Sequence, residues 1–346
     1  MRTRSVWILG VLAVSVWWCA GGDAPRRPGA THVAPPQLAV RAGGFVALDG
    51  PAGARRVVAI DRDGHAAAPV RLALPAESRA IGASDHVGVV WRDGARIAVA
   101  GVDDGALGEP YHFGTRVERM CDGTASNDRR WGVGWRERDG RVWIVFGPTF
   151  RDGAGVADAT ATARVATAPA ATATDLTWCA VASGDDQIVL FWRERGGDLS
   201  MNFCDRKRCS PLAPRLPPAI SRATLLAVGC LRKGCGFVTR DRDDAIRLRW
   251  VVADSGRLKW TTTLPGARAD TTATLVGAGD RQLALAYVAA DGAHVARVDA
   301  KGALTELWHG ADATAPALMW SQGQLLLAHA GAGAGDLATT VIALPR

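Results

Sequence analysis

Beyond its first twenty residues the chain has no apolar run near the roughly 20 residues that a membrane-spanning helix requires, so no second span is expected. A clustered basic stripe with interleaved aromatics is also missing. The formal charge of +7 is spread over interspersed Arg and Asp, which describes a solvated mixed-charge surface and not a nucleic-acid footprint. No window longer than ten residues combines a 3.6-residue apolar period with capping residues. With 40 glycines and 17 prolines, helix is expected to be nearly absent. There is no Gly-x-Ser-x-Gly elbow, phosphate loop or dinucleotide fingerprint. The seven histidines (His32, His65, His86, His112, His294, His309 and His329) stand singly without metal-ligand spacing. The sequence therefore points to no catalytic residue, no cofactor and no metal site.

What the chain does have begins at its N-terminus. Met1–Arg4 is basic, Val6–Trp18 is an apolar stretch broken only by Ser15, and small residues follow Cys19. This is the layout of a signal peptide over residues 1–19, with residues 20–29 as a linker. Thirteen helical residues rise only about 20 Å, short of a bilayer core of about 30 Å, so a retained anchor is the less favoured alternative. Cys19 followed by Ala-Gly-Gly-Asp resembles a bacterial lipoprotein start, which implies lipidation of its thiol. Trp18 departs from the small residue expected there, which leaves ordinary signal-peptidase cleavage as the other route. Either route predicts an exported protein: periplasmic, an outer-membrane lipoprotein, or secreted.

Setting Cys19 aside, six of the seven cysteines remain in a chain bound for an oxidising compartment, where disulfides are the default. Cys204 and Cys209 enclose four residues, as do Cys230 and Cys235, and no histidine lies within fifty residues of either pair. Zinc knuckles favour tighter Cys spacing or His partners, so each pair reads as a hairpin disulfide. By elimination Cys121 pairs with Cys179, across neighbouring inner strands.

The chain of 346 residues could form two average domains or one repeat fold. Self-similarity decides for the repeat. A short apolar run, a charged turn with Gly or Asp and an alternating strand recur with anchor residues Leu48, Trp91, Trp135, Trp192, Thr239, Tyr287 and His329. The spacings are 43, 44, 57, 47, 48 and 42 residues, and a period of about 40–50 is that of a four-stranded propeller blade. In the clearest copy the strands are expected at Asp175–Ser183, Gln187–Arg193, Asp198–Cys204 and Cys209–Leu216. Second strands are continuously apolar, as when a blade is covered on both faces. The predicted fold is thus all-β: a monomeric seven-bladed β-propeller of four-stranded antiparallel blades over residues 30–346. The long spacing of 57 reflects an Ala/Thr/Pro tract over 157–176, read as an outer strand and linker or as a loop. The last repeat lacks a fourth strand, and Ala30–Ala34 is placed to supply it, because an open edge invites aggregation.

Asp254-Ser-Gly-Arg-Leu-Lys-Trp260, and Asp299 through Gly302 to Trp308, resemble the repeat ends of pyrroloquinoline-quinone-type and related WD40-like propellers. The resemblance implies the fold and makes Trp260 and Trp308 packing residues between blades. It does not extend to the cofactor, and both the sialidase box and the Gly-His to Trp-Asp signature are missing.

Asp61-Arg-Asp-Gly64 and Asp103-Asp104-Gly105 lack the alternating oxygen ligands of calcium loops and read as tight turns. The Arg-Glu-Arg and Arg-Asp-Arg turns are either a ligand-facing ring or solvated turns whose charges cancel. Regularity is spent on blade packing and variation on loops, the division expected of a rigid scaffold. The expected function is a binding or scaffolding module of the cell envelope, with a protein or glycan as partner. The alternative is a glycan hydrolase or lyase with carboxylates meeting in the central channel.

Overall fold

The computed structural model describes residues 36–344, apart from 42, 84–85, 104, 122–124, 127–130, 140–141, 148–162, 165–172, 184–186, 195–196, 206–208, 211–213, 280 and 331–336. Residues 1–35, with the leader, Cys19 and the Ala30–Ala34 segment, lie outside this set. Val33–Arg346 forms one compact unit.

The chain is an all-β propeller of small antiparallel sheets. The first sheet contains β1 (Gln37–Arg41), β2 (Gly44–Asp49), β3 (Arg55–Asp61) and β4 (Val70–Leu72), in that order. The second contains β5 (Arg79–Ala83), β6 (His86–Asp93), β7 (Arg96–Asp103), β8 (Ala106–Leu107) and β9 (Tyr111–Phe113). In the third, β10 (Val117–Met120) and β11 (Ala125–Ser126) share one edge of β12 (Trp131–Glu137), followed by β13 (Val142–Gly147) and β14 (Ala163–Arg164). The fourth has seven strands: β15 (Ala173–Ser183), β16 (Gln187–Glu194), β17 (Leu199–Asp205), β18 (Thr224–Leu231), β19 (Gly234–Arg240), β20 (Ile246–Val252) and β21 (Leu258–Thr263). The fifth is β22 (Ala273–Ala278), β23 (Gln282–Ala289), β24 (Gly292–Val298) and β25 (Leu304–Gly310). The sixth is β26 (Thr314–Ser321), β27 (Gln324–Ala330) and β28 (Leu337–Ala343).

Hydrogen bonding thus defines six sheets where the repeat count predicts seven blades. The difference arises inside the seven-stranded sheet. Its two antiparallel parts are joined only where β15 and β18 run parallel, at Ala182–Cys230 and Ser183–Leu231. All seven anchors of the repeat fall on strands of antiparallel pairs: β2, β6, β12, β16, β19, β23 and β27. Of the expected fourth strand at Cys209–Leu216, the described residues meet β17 through bridges at Cys209 and Arg215, with backbone bonds from Ser210 to Phe203 O, from Met201 to Pro214 O and from Leu216 to Leu199 O; residues 211–213 lie outside the described set. Of the Ala/Thr tract, Ala163–Arg164 pairs with β13 as an outer strand, whereas Ala173–Leu176 belongs to β15 and not to a linker. Among the described residues helix is confined to one turn, α1 (Pro218–Ser221), with Pro218 at the start where a missing N–H costs nothing.

The core lies between the sheets. Alternate residues of each apolar second strand point to opposite faces, so Phe45 and Ala47 meet Leu326 of the sixth sheet while Val46 and Leu48 meet Val89 of the second. Trp131, Trp135 and Trp192 are fully buried; each such side chain contributes on the order of 2–3 kcal/mol of transfer free energy. Inner strands touch in sequence from β1 through β5, β11, β15, β18, β22 and β26 back to β1, which closes a ring.

Further contacts tie sheets together. Trp260 donates Nε1–H to Ala300 O at 3.1 Å, and Thr262 donates Oγ1–H to Gly302 O at 2.8 Å. Gly302 has φ +87° and a Cβ there would meet the Trp260 ring at 2.7 Å, so only glycine fits. Thr339 of β28 makes the same kind of bond to Gly64 O of the first sheet, at 2.7 Å. Trp308 lies 5.6 Å from the His329 ring of the sixth sheet. Both tryptophans therefore pack between sheets.

Candidate functional site

The inner strands decide what the central channel can do. β1, β5, β18, β22 and β26 contain no Asp, Glu or His anywhere in their sequences. Glu118 of β10 is held by Arg136 at 2.7 Å, and β15 adds one carboxylate to the inner strands, Asp175. Among the described residues, carboxylates and imidazoles from three sheets do not meet there.

Charge is concentrated at turns and outer strands instead, and much of it is internally paired. In the Arg240–Asp244 turn, Asp241 accepts two hydrogen bonds from Arg249, at 2.9 and 2.6 Å, and another from Arg247. Arg249, with 6% of its side chain exposed, also bonds Thr239 Oγ1. Desolvation pushes the Asp241 carboxyl up, but the hydrogen bonds and charges of Arg249 and Arg247 together outweigh it and hold the group below the usual range. The Asp241 carboxylate is thus neutralised by two arginines of β20, while Arg240 of the turn donates to Ala269 O at 2.6 Å. Asp61 Oδ1 accepts from the backbone N–H of Asp63 at 2.9 Å and of His65 at 2.8 Å. Gly64 follows at φ +90°, the Asx-type turn that Asp-x-x-Gly favours. Gly105, after Asp104, also has a positive φ of +80°.

The disulfides fix two hairpins. Cys204–Cys209 closes the end of β17, with 3.9 Å between Cα atoms, and Cys230–Cys235 joins directly opposed residues of β18 and β19 at 4.1 Å. Cys121 is buried and disulfide-bonded, and its N–H donates to Gly134 O at 2.8 Å. The side chain of Cys179 lies outside the described residues.

One cluster was not visible in the histidine spacing. On the fifth sheet Tyr287, His294 and His309 are successive cross-strand partners. Their rings stack, with centroids 5.3 Å apart for the first pair and 4.5 Å for the second. His294 Nδ1 lies 2.8 Å from Glu306 Oε2 and its Nε2 2.8 Å from Asp291 Oδ1. His309 Nε2 approaches the same aspartate, 3.1 Å from its backbone oxygen and 3.9 Å from Oδ2. Burial lowers the His294 pKa, but the bonds to Asp291 and Glu306 prevail and raise it. Burial, with Glu306 and Asp291, raises that of Tyr287. One atom each from Asp291, His294 and His309 lies within 4.8 Å of the others, an arrangement that could hold a metal ion. The signal was cross-strand register, which places residues 15 apart side by side.

No family model matches the sequence, and no curated protein sequence matches it. Solved structures do. The likeness is one of fold. A chain of the mitotic checkpoint complex is 13% identical with a TM-score of 0.50, over 98% of this chain and 99% of that one. A Mycobacterium tuberculosis puromycin-hydrolyzing peptidase is 13% identical with a TM-score of 0.54, over 89% of this chain and 50% of the peptidase. A prolyl endopeptidase is 15% identical with a TM-score of 0.51, over 90% of this chain and 46% of that one. These neighbours differ in function, so the shared architecture leaves the activity to be argued from residues. The described residues contain no helix long and apolar enough to cross a membrane.

Proposed function

We propose that the protein is an exported seven-bladed propeller that binds or scaffolds a protein or glycan of the cell envelope through loops on one face. The observation that carries the reading is the composition of the inner strands: five of them supply no acid, base or nucleophilic imidazole to the channel. A glycan hydrolase of the channel-centred kind needs paired carboxylates there. A binding scaffold needs only rigid sheets and variable turns.

Seven blades follow from reading the seven-stranded sheet as two. Phe191 of β16 meets Phe237 of β19 edge to face at 5.4 Å, inside a shared core that also holds Val189, Met201, Val228 and Val251. Two halves of a continuous flat sheet would lie side by side, whereas these face each other as neighbouring sheets do. The disulfides support an oxidising, exported location. The apolar leader supports it too, with residues 1–19 removed or Cys19 lipidated.

The test is to incubate the purified, oxidised protein with envelope extract and, separately, with envelope glycans. Retention of a protein or glycan without cleavage is expected. Replacing Arg232 and Lys233, exposed in the β18–β19 turn, by glutamate weakens that retention if this face is the functional one. Cleavage of a glycan that Asp175→Asn abolishes would overturn the reading in favour of an enzyme.

A further inference from the structure

We infer that Asp291, His294 and His309 form a divalent metal site of the zinc class on the fifth sheet, with Glu306 as the residue that orients His294. Two imidazole nitrogens and a carboxylate oxygen are a common ligand set for zinc. The three atoms lie within 4.8 Å of one another. Tetrahedral coordination at bond lengths of about 2.0–2.2 Å needs ligand atoms about 3.3 Å apart, so the longest separation must close by roughly 1.5 Å at most, while His294 Nε2 and Asp291 Oδ1, 2.8 Å apart, open by about 0.5 Å and release the proton between them to solvent as the metal enters. Rotation of the half-exposed His309 and the exposed Asp291 side chains supplies that movement.

The surroundings match a ligand site better than an ion pair. An ion pair is complete with His294 between Asp291 and Glu306 and has no use for a second imidazole. His309 Nε2 nevertheless lies 3.9 Å from the same carboxylate while it bonds the Asp291 backbone oxygen at 3.1 Å. A metal-ligating histidine usually donates its other ring N–H to a carboxylate, which fixes the tautomer and the ring plane. Glu306 stands at that position, 2.8 Å from His294 Nδ1, and the Tyr287 ring holds the other face of the imidazole.

The backbone is shaped to bring these groups together. Gly292 has φ +131°, and a Cβ there would lie 2.5 Å from Gly310 O. Glycine at this position lets the ends of β24 and β25 approach closely enough for His309 to reach Asp291. Exposure of Asp291 and His309 leaves a fourth coordination position open to water. The Asp61, Asp63 and His65 group is a poorer candidate, because Asp61 Oδ1 is spent on its turn and His65 is 81% exposed.

The experiment is calorimetric titration of the chelator-treated full chain with zinc chloride, paired with visible absorption after cobalt(II) addition. One equivalent of zinc is expected to bind, with cobalt bands of a low-coordinate nitrogen–oxygen site. His309→Ala and Asp291→Asn should each weaken zinc at least tenfold, Glu306→Gln roughly tenfold, and His65→Ala not at all. No heat and no cobalt band from the unmutated protein would overturn the inference, as would zinc affinity unchanged in both His309→Ala and Asp291→Asn. Diethyl pyrocarbonate footprinting of the unmutated protein keeps the test independent of variant folding. Zinc should protect His309 from modification and leave His65 reactive, and equal modification of His309 with and without zinc would overturn the assignment.

Discussion

Asp241 shows how a residue that looks functional in sequence can be structural. Its carboxylate neutralises Arg249, whose side chain is almost wholly buried, and an unpaired buried guanidinium is costly. Asp241→Asn should lower stability at pH 7 by about 1.5–3 kcal/mol, the range for hydrogen bonds to charged groups, measured by urea unfolding. The pH dependence has a definite sign. The folded-state pKa is depressed, so the stabilisation is complete above the unfolded value of about 4 and is lost as pH falls through the folded value. The wild-type protein and the variant should converge in acid; a gap that persists there would mean that shape rather than charge holds the turn. Single residues were legible where their role is local. Asp61 and Gly64 announced their turn, and Trp260 and Trp308 their packing. His294 and His309 were not legible, because their meeting depends on the register of β24 against β25, and neither residue carries any mark of that register.

At the scale of the strand and hairpin, sequence was most informative where the apolar pattern is continuous. The runs ending at Trp91, Trp135 and Trp192 are second strands buried on both sides. It was least informative at outer edges, where the strand expected at Cys209–Leu216 meets β17 at bridges of Cys209 and Arg215 and residues 211–213 lie outside the described set. The disulfides compensate at this scale. In the chain-entropy account, closing the five-residue separation of Cys230 and Cys235 is worth about 2 kcal/mol, and a loop ten times longer about 4 kcal/mol. We propose that Cys121 is joined to Cys179, which would close the longer loop. Non-reducing peptide mapping should recover that linked pair. Cys121→Ser/Cys179→Ser should then shift the urea midpoint about twice as far as Cys230→Ser/Cys235→Ser, and the reverse order would argue against the pairing.

For the whole molecule the decisive question is how the ring is shut. The period made a propeller legible, but the sheet count was not, since β15 and β18 share two backbone pairs that merge neighbouring sheets. Nor could sequence show what joins the last sheet to the first. Within the described residues, Leu326, Met319 and Val341 of the sixth sheet pack on Val40, Phe45 and Ile60 of the first, and Thr339 bonds Gly64 O. Thr262 makes a like bond to Gly302 O between the fourth and fifth sheets, which provides an internal standard. Each bond is half-buried and of similar length, so each should contribute about 1 kcal/mol when it belongs to the cooperative unit. Repeat folds are held by nearest-neighbour interfaces. In an open array, the interface between last and first sheets would fray below the global transition, and Thr339→Val would leave the main unfolding midpoint unchanged. In a closed ring no interface is terminal. Thr339→Val and Thr262→Val should then lower the global stability equally, and hydrogen exchange of the β28 and β1 amides should require the same opening free energy as that of β21. A β28 that exchanges through a cheaper local opening, with a silent Thr339→Val, would show that the ring is not shut at this seam.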